Sequence, residues 1–89
     1  MKLLVIDVGT SGVRAAVVEP EAGVTLSHRR EVLPSSPAPG LVEFDAAPRA
    51  DAVLTVARRA LADVGSVDGV GIANQRASTV VWDRATGEP

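Results

Sequence analysis

The residues with the most chemical potential open the chain: Leu3-Leu4-Val5-Ile6, then Asp7-Val8-Gly9-Thr10-Ser11-Gly12-Val13-Arg14. An aspartate at the mouth of a sheet can hold magnesium through water, and a glycine turn lets backbone N–H groups close around phosphate oxygens. The hydroxyls of Thr10 and Ser11 add donors without bulk, and Arg14 can offer a guanidinium to the same charge. A plain Asp-Gly turn with Arg14 exposed satisfies the same spacing. A second polar group, Asn74-Gln75-Arg76-Ala77-Ser78, follows an apolar segment. Ligands of open α/β sheets bind beyond the carboxyl ends of strands, so two amides and a guanidinium there can hydrogen-bond several hydroxyls. The bland reading is a polar turn into the next strand.

The remaining polar residues point nowhere specific. His28 has no second histidine or cysteine to share a metal with, and it reads as solvated. Arg29-Arg30 is too short a basic run for nucleic acid or membrane, and Glu31 follows it. Trp82, after Val80-Val81, is expected to pack. Neither a GxGxxG nor a Walker lysine motif is present.

The elements that must position these groups are legible from periodicity. Leu3 to Ile6 is a continuous β-favouring run entering a tight turn, and Val13 to Val18 resumes it until Pro20-Glu21-Ala22-Gly23. Val24 to Leu33 reads as a third, antiparallel strand. Pro34, Pro37, Pro39 and Gly40 exclude regular helix or central strand and make a connecting loop. Val53, Val56, Ala57, Ala60, Leu61 and Val64 then form one stripe on a helix, with Asp45 as its amino cap, Pro48 in its first turn and Gly65 as its stop. Arg58 and Arg59 fall on its wet side, where Arg59 can pair with Asp63. Val67 to Ala73 returns to strand, with Gly69 and Gly71 suggesting close backbone approach or a bulge. Ser78 to Trp82 is expected as a fifth strand, and Asp83 to Gly87 as a hairpin turn leading into a return strand at Glu88-Pro89.

Composition bounds the class. The chain has 89 residues, 46% of them hydrophobic, with nine basic and eleven acidic side chains for a net charge of −2. One small domain with a thin core follows. With no cysteine, disulfides, a thiolate nucleophile and a cysteine metal site are excluded, and the single histidine argues against zinc. The weak acidity and near absence of aromatic residues argue against nucleic acid, and no apolar run approaches the roughly 20 residues needed to cross a bilayer. The amino terminus lacks a signal-peptide layout, so a cytoplasmic location is expected.

Three blocks together resemble the amino-terminal part of an FGGY-type carbohydrate kinase, most closely its glycerol kinase branch. They are IDVGTSGVRAAV from Ile6, GLVEFD from Gly40 and GIANQRASTVVWDRATGEP from Gly71. The first block alone is shared with the wider actin-like ATPases. The resemblance implies an α/β, ribonuclease H-like fold: a three-stranded antiparallel meander, one helix, then further strands, with residues 1–89 forming the front of the first kinase domain. It also implies ATP-dependent phosphorylation of a sugar or polyol hydroxyl with Mg2+. Asp7 would serve the metal, Gly9, Thr10, Ser11 and Arg14 the nucleotide phosphates, and Arg76 with Gln75 the polyol hydroxyls. Two positions depart from the branch. Ala77 stands where a glutamate normally follows the arginine, and Gly12 where a hydroxyl residue is common.

In that family the catalytic base lies further along the first domain and the adenine pocket largely in a second. Residues 1–89 are therefore expected to be inactive in isolation, the rest of the kinase chain being their partner. The alternative is a non-enzymatic module that binds phosphate or nucleotide, or a homo-oligomer formed through an open sheet edge. An actin-like ATPase of another kind rests on the first block only, and a ribonuclease H-type nuclease lacks the further acidic metal ligands it would need.

Overall fold

A computed structural model describes all residues, Met1–Pro89. Strand β1 (Leu3–Val8) runs antiparallel to β2 (Gly12–Glu19), which pairs antiparallel with β3 (Gly23–Glu31). Helix α1 (Ala46–Val64) then carries the chain across to β4 (Gly69–Asn74), which lies parallel to β1. The sheet order is β3-β2-β1-β4. The meander, helix and returning strand thus follow the sequence expectation.

One face of the sheet holds the core. Leu4 and Ile6 of β1 alternate inward with Val13, Ala15 and Val17 of β2, and all five are buried against Ala52, Val56 and Ala60 of α1. The period-2 alternation of the strands meets the helical stripe here. Val53, Ala57, Leu61 and Val64 flank that contact half-buried, and Ala52 joins it from one position outside the expected stripe. The helix lies over β1, β2 and β3 and does not reach β4. Val70 and Ile72 are register partners of Leu4 and Ile6, so they share the helix-side face, yet they are 58% and 70% exposed.

Both helix ends fall where expected. Asp45 occupies the amino-cap position, although its side chain caps no N–H group, and the Gly65 N–H donates to the Leu61 carbonyl at 2.7 Å. The proline-rich connection is pinned as a closed loop by reciprocal backbone bonds between Ser35 and Glu43, each 2.8 Å. Inside it the Ser36 hydroxyl contacts the carbonyls of Ala38 and Leu41.

Five expectations need correction. Ser78 to Trp82 forms no strand: no neighbouring strand offers it a ladder, and β-branched residues alone do not make one. The Asp83–Gly87 turn does form, with Gly87 at φ 76° and the Asp83 N–H bonded to the Glu88 carbonyl at 2.7 Å, but no strand follows. Trp82 is 62% exposed rather than packed, lining a shallow groove with Ala46, Ala47 and Ala50 at the start of α1. His28 is not simply solvated, since its Nε2 lies 2.7 Å from Asp63 Oδ2 near the end of α1, so Asp63 pairs across the fold instead of with Arg59. Of close approach or a bulge at the β4 glycines, the bulge is absent, since the register with β1 is unbroken and the irregularity falls between Val17 and Val18 on the β2–β3 side, whereas Gly69 is closely approached, a Cβ there lying 3.3 Å from Leu3 Cδ2. No helix is long and apolar enough to cross a membrane.

Candidate functional site

Because β1 and β4 are parallel neighbours, the residues following each emerge at the same end of the sheet. The Gln75 N–H donates to the Val8 carbonyl at 3.0 Å, extending the pairing one step beyond β4. The Gly9–Gly12 turn and the Asn74–Arg76 segment, far apart in sequence, are thereby brought side by side.

The turn itself is tight: the Gly9 N–H bonds the Gly12 carbonyl at 2.9 Å, and the Ser11 carbonyl accepts the Val32 N–H at 3.0 Å. The N–H groups of Thr10 and Ser11 have no acceptor within the protein. Asp7 and Arg14 are register partners across β1 and β2, and Arg14 is in turn the partner of Arg29 on β3. The three charges form a row on the sheet face opposite α1, all exposed. Asp7 and Arg14 are not an ion pair, the Asp and Glu side chains of this structure making no ion-pair contact with a lysine or arginine side chain. Both charges therefore stay available to a ligand.

Two arginines outside the expected site set complete the turn. The Arg29 guanidinium donates to Ser11 Oγ at 3.4 Å, which leaves the serine's own proton free for another acceptor. Gly12 makes this approach workable, because a Cβ there would lie 3.2 Å from Arg29 Nη2 and only 2.7 Å from the Arg30 carbonyl oxygen. Arg49, in the first turns of α1, reaches back across the fold. Its Nη1 donates to the Gly9 carbonyl, and its Nη2 donates to the carbonyls of Thr10 and Val32 at 3.3 Å each. Its guanidinium lies 4.1 Å from the centroid of the Phe44 ring, a stacked cation–π contact. Nothing in the spacing of a single arginine among alanines announces this contact. Arg29 was at least visible as one half of a basic pair.

On the β4 side, Arg76 is exposed and engages no other residue, whereas Gln75 is half-buried with its Nε2 donating to Ser78 Oγ at 2.6 Å. Its Oε1 is enclosed without a partner. The turn that permits this contact places Ala77 at φ 59°, a left-handed conformation that is unfavourable for alanine. Of the two residues expected to meet hydroxyls, Arg76 is free in this structure and Gln75 is partly committed.

Metal binding can be tested against the donor set. No group of three or more histidine, aspartate or glutamate side chains converges anywhere. A lone exposed carboxylate beside unpaired N–H groups fits an ion such as Mg2+, which keeps its waters and takes one or two carboxylates plus phosphate oxygens. It does not fit a metal held by protein ligands alone.

Comparisons with known proteins bear on the family and the fold. The sequence pattern of the N-terminal domain of the FGGY family of carbohydrate kinases matches residues 2–89. The glycerol kinase of Rhodopirellula baltica is 40% identical over 98% of this chain, and that of Agrobacterium fabrum 42% over 97%. The chain spans only 17% and 18% of the length of those two relatives. Among solved structures, a xylulose kinase from Brucella ovis superposes with a TM-score of 0.84 at 26% identity, covering 96% of this chain and 18% of that one. Plasmodium falciparum glycerol kinase, solved with ADP, shares the fold at a TM-score of 0.89 and 22% identity, covering 99% of this chain and 19% of that one. The four-stranded sheet and single helix are thus those of the actin-like ATPase fold of sugar kinases, and the chain belongs to the FGGY family of carbohydrate kinases.

Proposed function

We propose that residues 1–89 are the front of the first domain of a longer kinase that transfers the terminal phosphoryl group of ATP to a hydroxyl of a polyol or sugar. The observation that carries this reading is the Gln75–Val8 backbone bond, 3.0 Å long, which joins the Gly9–Gly12 turn to the Asn74–Arg76 segment at one end of the sheet. Phosphoryl transfer depends mainly on positioning and charge neutralisation, so a site that seats both substrates together is its first requirement.

In this reading the free N–H groups of Thr10 and Ser11, with the Ser11 hydroxyl, hold phosphate oxygens, and the absence of a side chain at Gly9 lets them approach. Arg14 neutralises phosphate charge from the adjoining strand. Asp7 holds Mg2+ that arrives with the nucleotide. When bound, that ion would supply positive charge that offsets the phosphate oxygens. Arg76 donates to the acceptor's hydroxyls, and Gln75 can do so once its amide leaves Ser78. With alanine at position 77 no carboxylate stands beside Arg76 to accept from those hydroxyls, which argues against a strict requirement for glycerol. No residue here is placed to take the proton of the attacking hydroxyl, so the segment alone does not catalyse. The reaction belongs to the cytoplasm, where ATP is supplied.

The test is Arg76→Ala in the full-length protein, assayed for ATP-dependent phosphorylation of glycerol, xylulose and related polyols. A charged hydrogen bond contributes about 1.5–3 kcal/mol, so KM for the acceptor should rise about 10- to 100-fold while KM for ATP holds. Unchanged acceptor KM, or no phosphoryl transfer to any polyol or sugar by the wild type, would overturn the reading.

A further inference from the structure

The kinase reading explains which groups on the Gly9–Gly12 turn face phosphate but not what holds them there. Arg49 supplies the missing restraint. Its guanidinium takes the carbonyl oxygens of both Gly9 and Thr10 from the α1 side. Each peptide unit is planar and trans, so its C=O and its N–H point in opposite directions. Fixing the Gly9 carbonyl toward α1 therefore turns the Thr10 N–H away from α1, and fixing the Thr10 carbonyl does the same for the Ser11 N–H. These are the two N–H groups left without an acceptor. We propose that Arg49 is a positioning residue: it clamps two successive peptide groups so that their N–H bonds converge on the phosphate side of the turn.

Two further observations show that the clamp is built rather than incidental. Arg49 is half-buried with its Nε enclosed, and Phe44 lies under its guanidinium, so the side chain has little freedom to swing away. Its third acceptor is Val32 at the end of β3, whose own N–H holds the Ser11 carbonyl. Both sides of the turn are thereby tied to one guanidinium. The positive charge also polarises the two peptides it binds, which strengthens their N–H groups as donors to an anion. Arg49 touches no phosphate in this scheme and acts only through the backbone.

This inference rests on the proposed nucleotide site, and the experiment separates the two. In the full-length protein, affinities for ATP, for inorganic tripolyphosphate and for adenosine are measured by calorimetry in wild type, Arg49→Met and Arg49→Lys. Methionine keeps much of the apolar bulk over Phe44 and removes the charge and donors. The expected result is binding of ATP and tripolyphosphate weakened about tenfold in Arg49→Met, the scale of a lost charge-assisted hydrogen bond, with adenosine unchanged. Arg49→Lys, which keeps the charge but cannot span both carbonyls, should fall between them. The amide resonances of Thr10 and Ser11 should also move in Arg49→Met without any ligand, a readout independent of nucleotide binding. Wild-type protein that binds neither ATP nor tripolyphosphate would sink the kinase reading, whatever Arg49 does to the turn. Wild-type protein that binds both, with Arg49→Met binding tripolyphosphate equally well or losing adenosine in the same proportion, would sink the positioning role alone. If Arg49→Met does not fold, Arg49→Lys decides: wild-type tripolyphosphate affinity refutes the clamp, and a selective loss supports it.

Discussion

Gly12 offers the sharpest perturbation, because its two possible outcomes differ in sign. A side chain added there would place Cβ 2.7 Å from the Arg30 carbonyl oxygen and 3.3 Å from Glu31 Cα, both backbone atoms of β3. Ordinary contact begins near 3.4 Å, so β3 would have to retreat by about 0.7 Å. Overpacking of this kind costs about 1–3 kcal/mol. For a domain of this size each kcal/mol lowers the melting midpoint by about 4–8 °C. At a site with room to spare, replacing glycine by alanine would instead stabilise by about 0.4–1 kcal/mol, through the loss of unfolded-state freedom. Thermal denaturation followed by far-ultraviolet circular dichroism on Gly12→Ala and Gly12→Ser is therefore decisive. Both variants should melt several degrees below wild type and close to each other, since the Cβ and not the hydroxyl meets β3. A rise in midpoint for either would refute the steric argument.

Three other outcomes follow from the same packing and hydrogen bonds. Val56→Ala removes a fully buried side chain from the α1–sheet contact and should cost about 2 kcal/mol in urea unfolding with an unchanged m-value. Asp83→Ala should abolish the closing turn while leaving the sheet intact, seen as lost dispersion of the Ala85 and Thr86 amide resonances. The Thr86 N–H, and after it the Ala85 N–H, hold the Asp83 carboxyl below its ordinary value of 3.8. A depressed carboxylate contributes fully above its unfolded value and loses that contribution as pH falls through the folded one. The turn should therefore be intact at neutral pH and loosen only in acid below the ordinary value, with the Thr86 amide shift as the monitor.

How much of this was legible from the sequence depended on whether the information was local. The runs at Leu3 to Ile6 and Val13 to Val18 and the Val53 to Val64 stripe carry their own period, and the elements formed where those periods lie. Ser78 to Trp82 carries a strand-like composition but no partner, and a strand is a pairwise object. The turn residues Gly9, Thr10 and Ser11 and the exposed Arg76 were visible because their types fit a chemistry and their positions follow strand ends. Arg49 was not, because its role is defined by carbonyls about 40 residues earlier in the chain, and an arginine bonded to backbone oxygens leaves no trace in residue types. The His28–Asp63 contact was hidden for a related reason: the helix-side position of His28 opposite Ala15 follows from register, which the sequence does not print.

The position of β4 has a consequence for how the molecule assembles. β1, β2 and β3 pair through short turns, so their loops close at little entropic cost, whereas β4 must return across the whole helix before it can dock. Nearest-neighbour hairpins should therefore precede it, so the Gly9–Gly12 turn should be shaped before Asn74–Arg76 arrives beside it. In residues 1–89 by themselves, β4 has one strand neighbour and no helix above it, so in this piece its amides should exchange with solvent by openings far smaller than global unfolding. Each such opening would part the Gln75–Val8 bond and separate the Asn74–Arg76 segment from the Gly9–Gly12 turn while the rest of the sheet stays closed.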